Sequence, residues 1–273
     1  MKIDVMLDAE LAGAGPRVRK LEALGCDGLL AAEFKGDPFL LLALAIQHTE
    51  AMEVGSCVAV AFPRSPMHLA QVAHDLQTFS KGRFLLGLGP ESGTHLESAR
   101  IREVVLALRA IWRCWNEGAA LDFDGEFYRH SLMTPYFDPG PTGYGPPRVF
   151  LAAAGEAMAE VAGEVADGMF LDGLGHEDNL REVVLPALHR GLSRSGRSRR
   201  AVEVSLPVLA VAGDPSELDQ IRHRYGDVVD RVRLVPPVGA SPDAWADTVR
   251  AAIAAGSSAG PRLREERPDV SLD

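Results

Sequence analysis

A short apolar run, a turn and an amphipathic helix follow one another eight times along this chain of 273 residues. Several of the apolar runs do not alternate with polar residues, as Leu85-Leu86 and Phe150-Leu151 illustrate. Parallel strands that are buried on both faces have this pattern. Eight strand–helix units in a chain of this length fit a closed barrel better than an open sheet. The sequence therefore predicts an α/β fold, a (β/α)₈ barrel of TIM type.

Apolar periodicity and helix-start signals set the limits of the predicted elements. We expect strands at 2–7, 28–32, 53–62, 83–88, 149–153, 169–174, 202–211 and 230–235. Four helices begin with a capping side chain followed by proline, which needs no N–H at the first helical position: Asp37-Pro38, Ser65-Pro66, Asp214-Pro215 and Ser241-Pro242. Further helices are expected at 16–24, 99–116, 156–166 and 177–193.

The helix after the third strand carries a predicted apolar stripe. Residues at spacings of three and four lie on one helix face, and here they are Leu69, Val72, Leu76 and Phe79. Two histidines outside this stripe, His68 and His74, are expected to face solvent.

One segment between the fourth and fifth strands interrupts the repeated unit. Residues 117–147 are rich in Gly, Pro, Tyr and Phe and contain no predicted helix, which is typical of a functional excursion or a linker. Its aromatic residues favour an ordered excursion. We expect one shortened barrel domain over 1–256 and a disordered tail at 257–273, where Ser, Gly, Arg, Glu and Pro predominate.

Charge and cysteine usage exclude several classes of protein. The chain has 28 Lys and Arg against 38 Asp and Glu, a formal net charge of −10, so it repels phosphate backbones and a nucleic-acid partner is not expected. No apolar run approaches the roughly 18 residues that span a bilayer, and Asp4 interrupts what would be a signal peptide. Three scattered cysteines, Cys26, Cys57 and Cys114, favour a reducing environment. We expect a cytoplasmic protein with no membrane partner.

In a barrel of this type the working face is formed by the carboxyl ends of the strands. The segment Ala152-Ala153-Ala154-Gly155 follows the fifth strand directly. Its small side chains would let a ligand reach backbone N–H groups at a helix N-terminus, where a phosphate is favoured. A tight turn without a ligand is the alternative. If the turn binds phosphate, Ala153→Asp should weaken cofactor binding with little effect on folding.

Two further strand ends could serve a ligand. Gly87-Leu88-Gly89 follows the fourth strand and could admit a flat molecule close to the backbone, although a plain turn has the same composition. Glu33 ends the second strand and could orient a cofactor or transfer a proton. An ion pair with Lys35 is the alternative for Glu33.

Motif searches leave the reaction open. His176 follows the sixth strand and is a candidate substrate contact, although a lone histidine is more often a surface side chain. No histidine, cysteine or carboxylate spacing matches a metal site, and no nucleophile elbow or Walker loop is present. The residues alone predict a barrel that binds a flat, phosphorylated ligand.

Six stretches, in order along most of residues 1–240, resemble the luciferase-like monooxygenase superfamily, in the branch of coenzyme F420-dependent oxidoreductases. They are Cys26-Asp27-Gly28-Leu29 leading to Glu33, Ser56 to Phe62 continuing into Arg64-Ser65-Pro66, Lys81 to Gly89, Gly125-Glu126-Phe127-Tyr128, Pro146 to Ala153, and Val165-Ala166-Asp167-Gly168.

The resemblance implies a barrel that holds a 5-deazaflavin or a flavin at the strand carboxyl ends. It implies a non-proline cis peptide near Ser56-Cys57-Val58 that supports the ring. It also implies that Glu33 is the acid of the second strand and that 152–155 is the phosphate turn. The function implied is hydride transfer between coenzyme F420 and a small organic substrate, with an FMN-dependent monooxygenase as the alternative.

Departures from the superfamily pattern raise a third possibility. Many members have a histidine directly after the second-strand acid, and this chain has Phe34, which cannot shuttle protons. The chain is also shortened after Gly89 and after Gly213. A barrel that has lost catalysis and acts as a partner subunit is therefore the non-enzymatic alternative. By analogy with the superfamily we expect a homodimer, or a heterodimer with a homologue.

Overall fold

The computed structural model describes residues 1–34, 36–90, 95–153, 155–171, 177–209, 216–237, 239 and 241–257. The strands are β1 (Lys2–Met6), β2 (Gly28–Ala31), β3 (Glu53–Ser56), β4 (Ala59–Val60), β5 (Phe84–Gly89), β6 (Phe123–Asp124), β7 (Arg129–His130), β8 (Arg148–Ala153), β9 (Gly168–Leu171), β10 (Glu203–Leu209) and β11 (Arg231–Val235). The α-helices are α1 (Ala14–Ala23), α2 (Pro38–Gln47), α3 (Pro66–Phe79), α4 (His95–Glu117), α5 (Glu156–Val165), α6 (Glu177–Asn179), α7 (Leu185–Ser195), α8 (Ser216–Tyr225) and α9 (Pro242–Ser257).

The parallel strands close into an eight-membered barrel, which confirms the predicted fold class. Around the barrel the order is β1, β2, β3, β5, β8, β9, β10 and β11, and β11 pairs with β1. The third position holds two short strands, because β3 and β4 both pair with β5. The predicted continuous strand at 53–62 was therefore wrong: the backbone leaves strand geometry between Ser56 and Ala59.

Helix starts agree with the cap-and-proline signal wherever the structure describes them. The Asp37 carboxylate accepts a hydrogen bond from the Phe39 N–H at 2.8 Å. The Ser65 hydroxyl accepts one from the His68 N–H, and the Ser241 hydroxyl accepts one from the Ala244 N–H. Each cap satisfies one of the N–H groups that a helix start leaves free. The fourth signal, Asp214-Pro215, lies outside the described residues.

The buried face of α3 differs from the predicted stripe. Phe79 is 51% exposed, whereas His74 is only 4% exposed and its ring packs edge-on against Trp115 with centroids 5.2 Å apart. The prediction of a solvated His74 was wrong because α3 packs against α4 as well as against the barrel, which widens and rotates its buried face. His68 is exposed, as expected.

The predicted helix at 177–193 also differs in detail. It consists of α6, a π-helical turn over Leu180–Val184 and α7. Pro186 in the first turn of α7 has no N–H to donate, and the α-helical hydrogen-bond ladder starts again at Leu185.

An apolar cluster fills the middle of the barrel. It contains Leu30, Leu85, Phe150 and Phe170, and the rings of the two phenylalanines lie 5.1 Å apart. Three partly buried side chains cover this cluster: Met6, Cys57 and Val58. A larger apolar layer packs between the strands and the surrounding helices. These side chains therefore fill the middle of the barrel.

Below this cluster, charged side chains close the amino end of the barrel. Arg231 is fully buried and forms two hydrogen bonds of 2.7 Å with the equally buried Asp4. Arg231 also contacts Glu53 and Glu203, and Arg148 pairs with the same two glutamates. Most of these residues begin their strands, so the ion network stabilises the end opposite to the working face.

The ion network predicts a loss of stability in acid. Burial raises the pKa of Glu53, but Arg231, Arg148 and Lys2 outweigh it and lower that pKa from 4.5 to about 2. A carboxylate whose folded pKa is depressed stabilises the fold above its unfolded pKa. The contribution of Glu53, about 3 kcal/mol, is therefore fully present above pH 4.5 and is lost as the pH falls towards 2.

Urea unfolding at a series of acidic pH values checks this expectation. Glu53→Gln is the control, since it lacks the titrating group, and its unfolding free energy should fall less steeply in this window. The buried Asp4 has a raised pKa and acts in the opposite direction, but it is present in both proteins. Parallel curves for the two proteins would contradict the prediction.

The excursion at 117–147 packs on the barrel through α4. It contains the antiparallel pair β6 and β7, and the Glu103 carboxylate of α4 accepts hydrogen bonds from the backbone N–H groups of Glu126, Phe127 and Tyr128. Three charge-assisted bonds to consecutive N–H groups fix the turn of this hairpin.

Within the described residues, no helix is both long and apolar enough to cross a bilayer.

Candidate active site at the carboxyl rim

Three of the residues predicted to bind a cofactor meet on one surface. A Cβ added to Gly89, the last residue of β5, would lie 2.7 Å from Val58 Cγ2 and 3.4 Å from the Ala152 Cβ. Only glycine fits there without displacing Val58. The peptide bond between Cys57 and Val58 is cis, as the family resemblance implied. The side chains at this point are small, so a flat ring can approach the backbone.

Cys57 and Val58 form the floor of this surface together with Met6. All three are partly exposed and rest on the apolar cluster of the barrel interior. Burial raises the pKa of the Cys57 thiol to about 11, so the thiol is neutral at physiological pH. Ser56 lies one residue below, fully buried, and its hydroxyl donates to the Gly87 carbonyl at 2.8 Å and accepts from the Gly87 N–H. The side chain of Ser56 thus shapes the barrel wall and does not face the ligand surface.

Glu33 is held by an arginine that the sequence did not indicate. Its carboxylate accepts two hydrogen bonds from the Arg64 guanidinium, at 2.7 and 3.1 Å, and one from the Val60 N–H at 2.8 Å. The Glu33 N–H donates to the Val58 carbonyl. Burial opposes the charge on Arg64, but the hydrogen bonds that it donates to the Glu33 and Asp37 carboxylates outweigh this effect and raise the Arg64 pKa. Glu33 therefore fixes the Val58–Val60 segment, and its role in proton transfer stays a prediction.

We expect Glu33 and Arg64 to depend on each other for stability. Their side chains are 23% and 11% exposed, and charge-assisted bidentate pairs at such sites contribute about 1–3 kcal/mol. Urea unfolding of Glu33→Gln, Arg64→Met and the double variant should give a coupling energy of about 1–2 kcal/mol. The exposed pair Asp124 and Arg129 is the matched control and should give additive effects. Additive effects at Glu33 and Arg64 would contradict the assigned contact.

The predicted phosphate turn is open at Gly155. This residue precedes α5 with φ −154° and ψ −178°, and as a glycine it has no side chain that could cap the first N–H groups of the helix. A Cβ at Gly155 would meet no atom within 4 Å. Free N–H groups at a helix start attract anions, so this end of α5 can take a phosphate oxygen. Ala154, the residue before Gly155, lies outside the described residues.

The burial of Ala153 contradicts the expectation that Ala153→Asp has little effect on folding. Ala153 is 2% exposed and belongs to the apolar layer between strands and helices, whereas Ala152 is only partly buried and faces Gly89. An aspartate at 153 would bury an unpaired charge and unfold the protein. Side chains alternate along a strand, so of these two neighbours Ala152 alone faces the ligand surface. His176, the candidate substrate contact, lies outside the described residues.

Sequence reasoning missed Arg233. It is on β11, 8% exposed, and its guanidinium lies over the Phe170 ring at 5.1 Å from the centroid. One amino group donates to the Leu171 carbonyl at 3.1 Å, and the other, Nη1, is buried without a partner among the described residues. The available signal was the pair Arg231 and Arg233 in a strand otherwise made of valine and leucine.

A groove of about 600 Å³ lies outside the barrel, between α4, α5 and α7. Its lining residues are Ser98, Ala99, Arg102, Glu156, Ala157, Glu160, Val161, Glu164 and Arg194. Its three glutamates pair with arginines, and helices form its walls. This groove does not include the Val58–Gly89–Ala152 surface.

Among the described residues, no group of three or more His, Cys, Asp or Glu side chains could hold a metal ion.

Curated relatives of this chain include dehydrogenases. An uncharacterised protein of Mycobacterium tuberculosis is 49% identical over 229 residues, which cover 80% of this chain and 67% of that protein. The F420-dependent glucose-6-phosphate dehydrogenase of Intrasporangium calvum is 30% identical over 62% of this chain and 55% of its own length. The F420-dependent hydroxymycolic acid dehydrogenase of M. tuberculosis is 23% identical over 86% of this chain and 72% of its own length.

Solved structures share the fold at low identity. An F420-dependent secondary alcohol dehydrogenase in complex with an F420–acetone adduct superposes with a TM-score of 0.78 at 13% identity, over 93% of this chain and 98% of that chain. The EDTA monooxygenase of Chelativorans sp. BNC1 gives 0.79 at 14% identity, over 95% and 94%. The luciferase-like monooxygenase family matches residues 5–260. With its closed barrel and this match over most of its length, the chain belongs to the luciferase-like monooxygenase family.

Proposed function

We propose that this protein is an oxidoreductase that uses coenzyme F420 for hydride transfer to or from a small organic substrate. The observation that carries the proposal is the Val58–Gly89–Ala152 surface, which lies at the carboxyl rim and has the small side chains that a flat ring needs. The F420-dependent dehydrogenases among the relatives support F420 as the ring. When bound, the cofactor would supply the hydride chemistry, and the protein would supply orientation and exclusion of water.

The described residues fit such a cofactor in three ways. Cys57 and Val58 would support one face of the ring, and Gly89 gives the close approach that a Cβ would prevent. The uncapped N–H groups at the start of α5 would hold the phosphate. Arg64 and Glu33 would hold the supporting segment in place.

An FMN-dependent monooxygenase is the second candidate. Its support is the structural likeness to the EDTA monooxygenase, with a TM-score of 0.79. Loss of catalysis is the third candidate, because Phe34 at the rim is 90% exposed and has no titratable group. We further propose that the protein acts as a dimer, with itself or with a homologue.

Equilibrium titration of the purified protein with F420 and with FMN, followed by fluorescence, tests the proposal. We expect quenching and saturation with F420 and no affinity for FMN. The opposite result would support the monooxygenase. Binding of neither, together with stable association with a homologue, would support the non-catalytic partner.

A further inference from the structure

Arg233 points into the barrel just above the ion network. Residues two apart on a strand face the same side, and Arg231, two positions earlier, contacts Asp4, Glu53 and Glu203 inside the barrel. Arg233 therefore also faces inwards, one step nearer to the carboxyl rim. There its guanidinium lies over Phe170, a member of the central apolar cluster.

The charge of Arg233 has no counter-charge among the described residues. Asp4 is opposite Arg233 in the β1–β11 register, but the Asp4 carboxylate is occupied by both Arg231 hydrogen bonds. Arg233 Nη1 is buried, and no residue that the structure describes accepts a hydrogen bond from it. A buried, unpaired charge is strongly unfavourable in the absence of an anion. The contrast with Arg231, which contacts three carboxylates, indicates that Arg233 is not part of the structural network.

Arg233 lies next to the residues under the proposed ligand surface, because Phe170, over which its guanidinium lies, belongs to the apolar cluster against which Cys57 and Val58 pack. Its positive charge acts on the Cys57 thiol and lowers the thiol pKa against the larger effect of burial. Cys57 is part of the floor under the rim. An anion bound by Arg233 would therefore lie against the same floor as the cofactor ring.

We propose that Arg233 binds an anionic oxygen of the molecule that occupies the barrel mouth. The planar guanidinium presents paired N–H donors that match a carboxylate or a similar oxyanion. Two sources have this chemistry: a carboxylate of the substrate, or the negatively charged pyrimidine edge of the reduced ring. The inference deepens the proposed function and rests on it for the second source, whereas the first can be tested without any cofactor.

The alkylation rate of the Cys57 thiol can report whether a carboxylate, the first of the two sources, binds at Arg233. Cys26 and Cys114 are buried, and Cys57 is partly exposed, so a neutral alkylating reagent such as iodoacetamide should modify Cys57 first. The rate at Cys57, followed by peptide mass spectrometry, is measured with acetate and with acetamide at equal ionic strength. An acetate concentration of twice its dissociation constant should slow the rate about threefold, and acetamide should leave it unchanged.

Substitutions at Arg233 test whether the slowing of Cys57 alkylation by acetate requires the Arg233 side chain. Arg233→Met should abolish the acetate effect and slow the basal alkylation, because the thiol pKa rises when the charge is removed. Its melting temperature should be unchanged or higher, since a buried unpaired charge is lost. Arg233→Lys, which keeps the charge without the paired donors, should show weaker protection. If Arg233→Met does not fold, the wild-type comparison and Arg233→Lys still decide the outcome.

A second experiment, which measures cofactor affinity, distinguishes a substrate carboxylate from the reduced ring as the group that Arg233 binds. The affinities of wild type and Arg233→Met are compared for the oxidised and the reduced form of whichever cofactor the wild type binds. A loss of about tenfold or more, 1.4 kcal/mol, for the reduced form alone would assign Arg233 to the ring. Acetate protection without that loss would assign it to a substrate carboxylate.

The proposal would be overturned if acetate does not protect Cys57 and Arg233→Met does not lose affinity for the reduced cofactor. So would equal acetate protection in wild type and Arg233→Met. If the wild type binds neither cofactor, the proposed function fails, but the acetate experiment still tests Arg233.

Discussion

Replacement of Arg231 by methionine should lower the free energy of unfolding by about 3–5 kcal/mol, the usual cost of removing one partner from a buried ion pair. Arg231 and Asp4 are both 0% exposed, and their two hydrogen bonds are 2.7 Å long. Without the guanidinium, the buried Asp4 carboxylate must stay charged with no counter-charge bonded to it or take up a proton, and each outcome costs stability. Urea unfolding at neutral pH measures the change directly.

Two comparison variants make this experiment specific to burial. Arg250→Met removes an arginine from an exposed pair with Asp247, whose side chains are 58% and 69% exposed, and should change stability by less than about 0.5 kcal/mol. The double variant Asp4→Leu/Arg231→Met removes both buried charges and should recover much of the loss. Equal effects of Arg231→Met and Arg250→Met would show that the ion network does not stabilise the barrel.

Gly155→Asp should weaken the binding of a phosphorylated cofactor by about tenfold or more, which corresponds to 1.4 kcal/mol. The extended backbone of Gly155 accepts any residue, and a Cβ there meets no atom within 4 Å. An aspartate would cap α5 and slightly stabilise the helix, but its charge would repel the phosphate. Cofactor titration and thermal unfolding of the same preparation measure the two effects separately.

Gly155→Ser is the matched control, because serine caps a helix start without adding charge. It should unfold at a similar temperature to Gly155→Asp and lose much less affinity for the cofactor. Identical dissociation constants for the two variants would remove the start of α5 from the cofactor site. They would leave the Val58–Gly89–Ala152 surface as a candidate, because Gly155 is not one of its three residues.

Much of the barrel could be predicted from local sequence. Helix starts such as Ser65-Pro66 were correct because the capping hydroxyl and the proline act within three residues of each other. The strands were found from apolar runs, although the third was predicted as continuous and is divided around Cys57 and Val58. The buried face of α3 was not predicted correctly, since three different neighbours, α2, β5 and α4, decide which of its residues are covered.

The candidate site was only partly accessible from sequence. Gly89, Val58 and Ala152 could be predicted as ligand contacts from the sequence, because the carboxyl ends of parallel strands meet at one rim. The partner of Glu33 could not be predicted, since Arg64 is 31 positions away. Arg233 was not identified from sequence, because the sequence does not show that its guanidinium is buried beside apolar side chains such as Phe170.

By itself, the sequence determined that strands and helices alternate, where helices begin, which family the chain resembles and which strand ends could meet a ligand. These properties depend on neighbouring residues and on repeated spacing. Only the tertiary structure decided which of two adjacent residues faces the barrel interior, as for Ala152 and Ala153, and which charges are paired, as for Arg231 and Arg233. The physical reason is that apolar runs buried on both faces carry no inward–outward pattern, and Asp4 and Arg231 are 227 positions apart.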